Sequence, residues 1–264
     1  MADGIEARTP IRVDIADAVA TVTIDRPARR NAMTLAMWRD LGAAFQALGA
    51  DPAVRAIILA GAADHFCAGA DISEFATARD GAAGAETYGE AVDGCADAIL
   101  SAPQPTIAAL RGFCLGGGSL LALSCDFRVA DPTVTVGIPA AKLSIVYGVG
   151  PTRRLMALVG LAAAKRILFT GAQIDAAEAH RIGFIDRIAP GALDAAYGLA
   201  GEMRDSAPMT VRGAKLILDG SVSGQDGVDV ETVRRLAAQA ADSADHLEGR
   251  RAFAEKRRPI FRGR

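Results

Sequence analysis

The sequence lacks any apolar run long enough to cross a membrane, because Gly, Lys or Arg interrupts every candidate. A spanning helix needs roughly 18 or more consecutive apolar residues, so we expect no membrane partner. The opening stretch MADGIEARTPIRVDI also lacks the charged-then-apolar pattern of a secretory signal. These two absences lead us to expect a cytoplasmic protein.

Cysteine and histidine are scarce, with four and three residues respectively. None of Cys67, Cys95, Cys114 and Cys125 belongs to a CxxC pair, and the histidines are scattered, which argues against a zinc site. A disulfide framework is not expected in a chain of this length without a signal peptide. We predict four reduced, mostly buried thiols and no metal site.

No charge of one sign dominates, since 29 basic and 31 acidic residues give a formal net charge of −2. That balance argues against a nucleic-acid partner or an anionic membrane surface. The chain has 264 residues, of which 51% are apolar, so it can bury a sizeable core. Neither G-x-G-x-x-G on the first strand-to-helix turn nor G-x-x-x-x-G-K-[ST] is present, which excludes a nucleotide P-loop.

Alternating strands and helices are predicted for the first half of the chain. The alternation over residues 11–24 indicates a β-hairpin that turns at Asp17, and Thr34 is the expected N-cap of the helix that follows. Four further strands are predicted, at residues 55–61, 105–113, 126–131 and 133–138. This order is typical of an α/β fold whose strands are covered by helices.

The second half has mainly helical periodicity, over residues 152–181 and 193–253, with one strand predicted at 184–189. We interpret the chain as a core over residues 1–200 with a helical C-terminal region over 201–264. Helical extensions with exposed apolar faces often pack on a partner subunit, so we expect an oligomer.

Two loops rich in small residues lie between a strand and a helix, HFCAGADI at 65–72 and RGFCLGGGSLLAL at 111–123. Backbone N–H groups at a helix start have no internal partners and carry partial positive charge. Two such groups that converge on one oxygen would form an oxyanion hole. Each loop alone also fits a close helix–strand contact or a phosphate site. The simpler interpretation of Asp71 is a helix cap.

Several motifs occur together in order: DRPARRNAM, HFCAGADI, RGFCLGGGSLLALSCD, VGIPAAKL, RRLMALVGLAAAKRILFTG and EGRRAFAEKRRPIF. With them the sequence resembles the enoyl-CoA hydratase/isomerase family, also called the crotonase family, from about residue 12 to 262. The resemblance implies a spiral of ββα units with a helical C-terminal region that builds a homotrimer or a dimer of trimers. It also implies an acyl-CoA thioester as substrate, with coenzyme A as part of that substrate and no separate cofactor.

The resemblance implies a role for each matching position. The thioester carbonyl would lie between the backbone N–H groups of Ala70 and Gly117. Basic residues of the tail, such as Lys256 and Arg257, would reach a phosphate from a neighbouring subunit. The coenzyme A end would lie near Ala28, Arg29, Arg30 and Ala68. The remaining substrate-binding positions are Gly69, Asp71, Ile72, Gly116, Leu120 and Ala140.

The sequence departs from the family pattern at the two acid–base positions. Hydratases of the family use one glutamate in GGG-x-E and another in G-x-P-E, and these positions hold Leu120 and Ala140 here. Neither side chain can transfer a proton. The sequence therefore keeps the two backbone donors that would polarise the thioester but lacks the two acid–base side chains. Three hypotheses about function remain. They are a lyase related to enoyl-CoA hydratase with atypical catalysis, a decarboxylase or double-bond isomerase, and a non-catalytic acyl-CoA binder.

Other polar groups are candidates to replace the two glutamates. Tyr147, in KLSIVYG, is the catalytic candidate, with a packed aromatic as the alternative. Glu74 is a candidate acid or a surface charge, and Ser119 is expected to cap its helix. Three further side chains near these loops are His65, a coenzyme A contact candidate, and Glu86 and Glu90, which we interpret as a solvated helix face.

Overall fold

The computed structural model describes residues 10–74, 81–223 and 227–263, which form two sheets flanked by helices. The strands are β1 (Ile11–Ala16), β2 (Val19–Ile24), β3 (Ala56–Gly61), β4 (Thr106–Leu110), β5 (Phe113–Leu115), β6 (Phe127–Ala130), β7 (Thr135–Gly137), β8 (Gln173–Asp175) and β9 (Arg187–Ile188). Six of them form one sheet in the order β1-β2-β3-β4-β6-β9, and β5-β7-β8 form the other. All neighbours in the larger sheet are parallel except β1 and β2.

The helices follow the strands and then dominate the C-terminal part of the chain. They are α1 (Leu35–Ala50), α2 (Gly81–Ser101), α3 (Gly117–Ser124), α4 (Val149–Thr170), α5 (Ala176–Arg181), α6 (Ala192–Arg204), α7 (Pro208–Ser223), α8 (Val230–Ala241) and α9 (Ala244–Glu255). Short 3₁₀ turns occupy Pro27–Arg29, Ile72–Glu74 and Pro139–Lys142. The predicted α/β architecture with a helical C-terminal region is confirmed.

The predicted hairpin and the helix after it are confirmed. β1 and β2 pair antiparallel, with Ala16 opposite Val19, and the two residues between them, Asp17 and Ala18, have φ of 49° and 61°. Left-handed φ at both positions is typical of the two-residue turns that match strand twist. Thr34 caps α1, because its side chain accepts a hydrogen bond from the backbone N–H of Met37.

Two strand predictions need correction. The predicted strand over 105–113 is two strands in different sheets, because the chain turns at Gly112, where φ is +51°. A Cβ atom there would lie 2.1 Å from the carbonyl oxygen of Asp64, so only glycine permits this close turn. The helical prediction over 152–181 is wrong at β8, which has three residues, pairs antiparallel with β7 and buries only Ile174.

The core lies between α1, α2 and the larger sheet. The apolar face of α1 is buried, with Trp38, Leu41 and Phe45 fully enclosed. On the other side of the sheet, α6 packs on β2, β3, β4 and β6. The division at residue 200 falls inside α6 and stays a prediction. No helix in the part of the chain that the structure describes is both long and apolar enough to cross a membrane.

Candidate functional site

Each of the three consecutive glycines at the start of α3 has its own steric reason. Gly116 has φ 54° and ψ −110°, a conformation that side-chain-bearing residues rarely adopt. A Cβ atom on Gly117 would lie 2.9 Å from Cζ2 of Trp38, and one on Gly118 would lie 2.3 Å from the carbonyl oxygen of Cys67. The absence of side chains in this run therefore allows the N-terminus of α3 to lie close to both α1 and the first glycine loop.

Replacing Gly118 with alanine is expected to lower the free energy of unfolding by about 3 kcal/mol, because the new methyl overlaps backbone that cannot move aside. Gly198 is the matched control, since it is exposed on α6 and a methyl group added there would have nothing within 4 Å. Gly198→Ala should leave stability unchanged or raise it. Urea unfolding of both variants makes the comparison, and equal midpoints would contradict the steric argument.

The two glycine loops lie side by side. The backbone N–H of Cys67 donates to the carbonyl oxygen of Phe113 at 2.8 Å, and that of Leu115 donates to the carbonyl oxygen of Cys67 at 3.0 Å. A Cβ atom on Gly117 would lie 3.4 Å from the backbone nitrogen of Ala70. The loops that the sequence predicted to converge are therefore adjacent in the fold.

Both predicted oxyanion donors are unused within the part of the chain that the structure describes. Among residues 10–74, 81–223 and 227–263, neither the N–H of Ala70 nor that of Gly117 finds a hydrogen-bond acceptor. Gly117 is the first residue of α3, where N–H groups are free and the helix dipole favours negative charge. Both residues are partly exposed, so a ligand oxygen can approach them.

The positions of the two family glutamates are apolar and nearly closed to solvent. Leu120 is 5% exposed and Ala140 is 8% exposed. Main-chain bonds join their segments, because the N–H of Gly116 donates to the carbonyl oxygen of Gly137 at 2.8 Å. Ser119 does not cap α3 as predicted; its hydroxyl lies 2.8 Å and 2.9 Å from the carbonyl oxygens of Cys114 and Gly137.

The carboxylates nearest in sequence to the first loop are already engaged. Oε2 of Glu74 accepts from the backbone N–H of Leu35 at 2.9 Å, so this glutamate caps α1. Asp71 accepts from Ser73 and from Arg26, and these hydrogen bonds lower its pKa to about 2. As predicted, it does cap the 3₁₀ turn that follows, through the N–H of Ser73. On α2, the two glutamates interpreted as a solvated face, Glu86 and Glu90, are exposed.

Tyr147 has a buried hydroxyl for which the described part of the chain provides no hydrogen-bond partner. Burial raises the pKa of this phenol well above its ordinary value, and nearby Cys114 raises it further. The hydroxyl therefore stays protonated at neutral pH and can act only as a proton donor or a hydrogen-bonding group.

The segment expected at the coenzyme A end is exposed and basic. Ala28 and Arg29 lie in a 3₁₀ turn, and Arg30 follows with φ of 51°. The guanidinium carbon of Arg30 lies 5.3 Å from the ring centroid of Phe113, a cation–π distance. The ring of His65 stacks on the same phenylalanine at 4.6 Å.

This segment also adjoins the first loop, because the N–H of Ala68 donates to the carbonyl oxygen of Arg30 at 3.0 Å. Of the remaining predicted positions, Gly69 is buried and Ile72 is 62% exposed. In the tail, Arg257 pairs with Glu248 and Glu255, which raises its pKa.

The four cysteines are free and buried, as predicted. Burial raises the pKa of the Cys67 thiol to about 12 and that of the Cys125 thiol to about 12. No cluster of three His, Cys, Asp or Glu side chains that could hold a metal ion occurs in the described ranges. The structure thus presents a site built from backbone donors and apolar walls.

Comparison with known proteins places the chain in a family. A family model described as Enoyl-CoA hydratase/isomerase matches residues 14–264. The chain belongs to the enoyl-CoA hydratase/isomerase family. It is therefore a thioester-processing enzyme of that family, and its fold is the crotonase fold with a helical C-terminal region.

Individual members of the enoyl-CoA hydratase/isomerase family resemble the chain over most of their length. It is 36% identical to the enoyl-CoA isomerase/hydratase fer4 of Mycosarcoma maydis, over 92% of each chain. It is 35% identical to the mitochondrial methylglutaconyl-CoA hydratase of Mus musculus, over 93% of this chain and 80% of that protein. An enoyl-CoA hydratase/isomerase family protein from Hyphomonas neptunium superposes with a TM-score of 0.91 at 38% identity, covering 97% of this chain and 98% of the other.

The predictions missed Arg26 and Asn31, which hold the first glycine loop in place. Both belong to the DRPARRNAM motif, where only the two basic residues after Ala28 were singled out. Their partners are 45 and 34 residues away in the sequence, so no local pattern identifies them.

Proposed function

We propose that the protein binds an acyl-CoA thioester and stabilises its enolate between the backbone N–H groups of Ala70 and Gly117. The observation that carries this proposal is the pair of unused N–H groups on two adjacent loops, one of them at a helix N-terminus. Preorganised donors of this kind stabilise developing oxyanion charge at no reorganisation cost.

The coenzyme A portion would run along the exposed basic segment beside the first loop. Arg29 and Arg30 supply positive charge for phosphates, and the contact of Ala68 with this segment links it to the oxyanion hole. Backbone at Gly69, Asp71, Ile72 and Gly116 would surround the thioester. The substrate supplies coenzyme A, so the proposal needs no separate cofactor.

The proposed chemistry proceeds without paired glutamates, which makes hydration of a simple enoyl-CoA slow. Leu120 and Ala140 would face the reacting carbons as an apolar wall, and Glu74 is engaged as the cap of α1. Hydration by this protein would be an atypical lyase reaction in which water is placed by groups other than carboxylates.

Decarboxylation of a malonyl-type thioester is the second candidate, favoured by the unpartnered hydroxyl of Tyr147. The bond between Cα and the carboxylate breaks, CO₂ leaves, and the electron pair passes to the thioester oxygen in the oxyanion hole. A proton from Tyr147 or from water then reaches Cα, and Tyr147 recovers its proton from water. This reaction needs a donor and no carboxylate base.

A homotrimer or a dimer of trimers remains our proposal for the assembly. Large apolar side chains are exposed on the C-terminal helices, with Phe253 at 89% and Leu218 at 67%. Burying such side chains against another copy would stabilise an oligomer.

Turnover assays with crotonyl-CoA and malonyl-CoA test the proposed function. We expect slow or undetectable loss of the conjugated thioester absorbance with crotonyl-CoA, and release of CO₂ from malonyl-CoA. Rapid hydration of crotonyl-CoA would be consistent with an enolate intermediate but would overturn decarboxylation as the reaction. Tyr147 would then be the first residue to test as a replacement for the two absent glutamates. Tight binding of both thioesters without turnover of either would overturn the enzymatic proposal and favour a binder.

Replacing Tyr147 with phenylalanine is expected to lower turnover by about 10²-fold without lowering stability. The lost hydroxyl has no partner among the described residues, so its removal relieves a buried group that they leave unsatisfied. Tyr197→Phe is the control variant and should leave turnover unchanged. The Tyr197 hydroxyl lies 2.6 Å from the Thr21 hydroxyl, on the far face of the sheet from the proposed site. Unchanged turnover in Tyr147→Phe would remove this residue from the mechanism.

A further inference from the structure

A partly buried ion pair lies directly beside the proposed oxyanion donor. Nη1 of Arg26 donates to Oδ2 of Asp71 at 2.6 Å and to the carbonyl oxygen of Ala32 at 3.1 Å. The Asp71 carboxylate is only 7% exposed, and this residue follows Ala70 in the chain. The pair therefore connects the segment before α1 to the loop that carries the donor.

Two backbone hydrogen bonds continue this connection across the donor peptide. The N–H of Met33 donates to the carbonyl oxygen of Gly69, and the N–H of Asp71 donates to the carbonyl oxygen of Met33, both at 2.8 Å. A trans peptide is planar, so the direction of the Gly69 carbonyl fixes the opposite direction for the Ala70 N–H. Hydrogen bonding to that carbonyl also polarises the peptide and strengthens its N–H as a donor.

The segment that holds this peptide is itself rigidly held. The side-chain oxygen of Asn31 accepts from the N–H of Arg26 at 2.9 Å, and its amide nitrogen donates to the carbonyl oxygens of Ala62 and His65. Asn31 is fully buried and has a left-handed φ of 58°. Both polar atoms of its side chain are thus used, and the bond to His65 joins this segment to the first glycine loop.

The Asp71 carboxylate is fixed in both position and charge. Its Oδ1 accepts from the N–H and the hydroxyl of Ser73, while Oδ2 accepts from Arg26. With a pKa of about 2, this carboxylate is ionised throughout the neutral range. The contact with Arg26 is therefore a charge-assisted hydrogen bond at every pH at which the enzyme would work.

We propose that Arg26 and Asp71 are a positioning pair that sets the direction of the Ala70 N–H and so determines how strongly the oxyanion hole polarises a thioester. This inference rests on the proposed function, because it concerns the same donor. In this proposal neither side chain contacts the thioester, and both act through the Gly69–Ala70 peptide, whose carbonyl accepts from Met33. Oxyanion donors work only at hydrogen-bonding distance from the developing charge, so a small rotation of this peptide weakens the site.

A chromophoric ligand tests the proposal without requiring turnover. A cinnamoyl-CoA with a para-dialkylamino group is a push–pull dye, and its absorbance moves to the red when its thioester carbonyl is polarised. We expect a red shift on binding to the wild type and loss of roughly half of it or more in Arg26→Gln and in Asp71→Asn. Arg26→Lys, which keeps a charge and a donor, should recover part of the shift.

Three comparisons separate positioning from simple loss of structure. The affinity for coenzyme A without an acyl group should stay within about threefold of the wild type, because the pair is not part of that contact. The double variant Arg26→Gln/Asp71→Asn should lose little more of the shift than either single variant, as expected for two groups that act as a unit. Arg12→Gln should keep the full shift, since the Arg12–Asp25 pair at 2.9 Å does not reach the loop.

The outcomes distinguish this inference from the function on which it rests. A wild type that binds the dye without a red shift overturns the oxyanion hole and this inference together. A wild-type red shift that persists in Arg26→Gln and Asp71→Asn overturns the positioning pair alone. If Arg26→Gln fails to fold, the isosteric Asp71→Asn and the conservative Arg26→Lys decide the question, and additive losses in the double variant contradict a coupled pair.

Discussion

Replacing Ala70 with proline is expected to lower turnover of any acyl-CoA substrate that the wild type processes by at least about 10²-fold. Proline has no backbone N–H, so the substitution removes one of the two donors to the thioester oxygen. Loss of one such donor typically lowers the rate by about 10²–10³-fold. Steady-state kinetics with the best wild-type substrate measures the effect, together with a titration of coenzyme A binding.

Ala70→Gly is the matched control for this experiment. It removes the methyl group and keeps the N–H, so most of the turnover should remain. Retained turnover in Ala70→Pro would show that Ala70 does not donate to the thioester. A loss in both variants would point to the packing of the loop rather than to its N–H.

Introducing glutamate at both apolar positions, as Leu120→Glu/Ala140→Glu, is expected to create hydration of crotonyl-CoA. Two carboxyl groups would then flank the carbons beside an intact oxyanion hole and could place and protonate a water molecule. Both positions are nearly closed to solvent, so desolvation would raise the pKa of each new carboxyl and favour a protonated acid. We expect hydration at least about 10²-fold above the wild type.

The two single variants are the controls, because each supplies only one of the two groups. Loss of absorbance of the conjugated thioester measures hydration, and circular dichroism establishes that the variants fold. A folded double variant without hydration would contradict the view that these two side chains are all that the site lacks for this reaction.

The sequence was informative where structure depends on neighbouring residues. The hairpin at Asp17 and the cap at Thr34 involve hydrogen bonds or dihedral angles within a few residues, and both were predicted correctly. The sequence placed both glycine loops after strands, and the parallel pairing of β3 with β4 in the structure brings those strand ends to one edge of the sheet. The family resemblance then supplied the expected roles of Ala70 and Gly117.

The sequence was uninformative where a contact joins distant parts of the chain. Glu74 caps a helix that begins 39 residues earlier, so its sequence neighbours did not reveal why it is unavailable as an acid. The break between β4 and β5 at Gly112 depends on the close approach of Asp64, and the apolar run across it resembles one strand. The role of Ser119, which lies on α3, depends on the carbonyl oxygen of Gly137 in β7.

The way in which residues 120 and 140 are held separates the architecture of this protein from its reaction. The bonds between their segments run through Gly116, Gly137 and the hydroxyl of Ser119, and none involves the side chain of residue 120 or 140. The side chains at these two positions can therefore differ without a change in the hydrogen bonds that join the two segments. The double-glutamate variant tests whether one scaffold can acquire a reaction by two substitutions while it continues to recognise the same thioester.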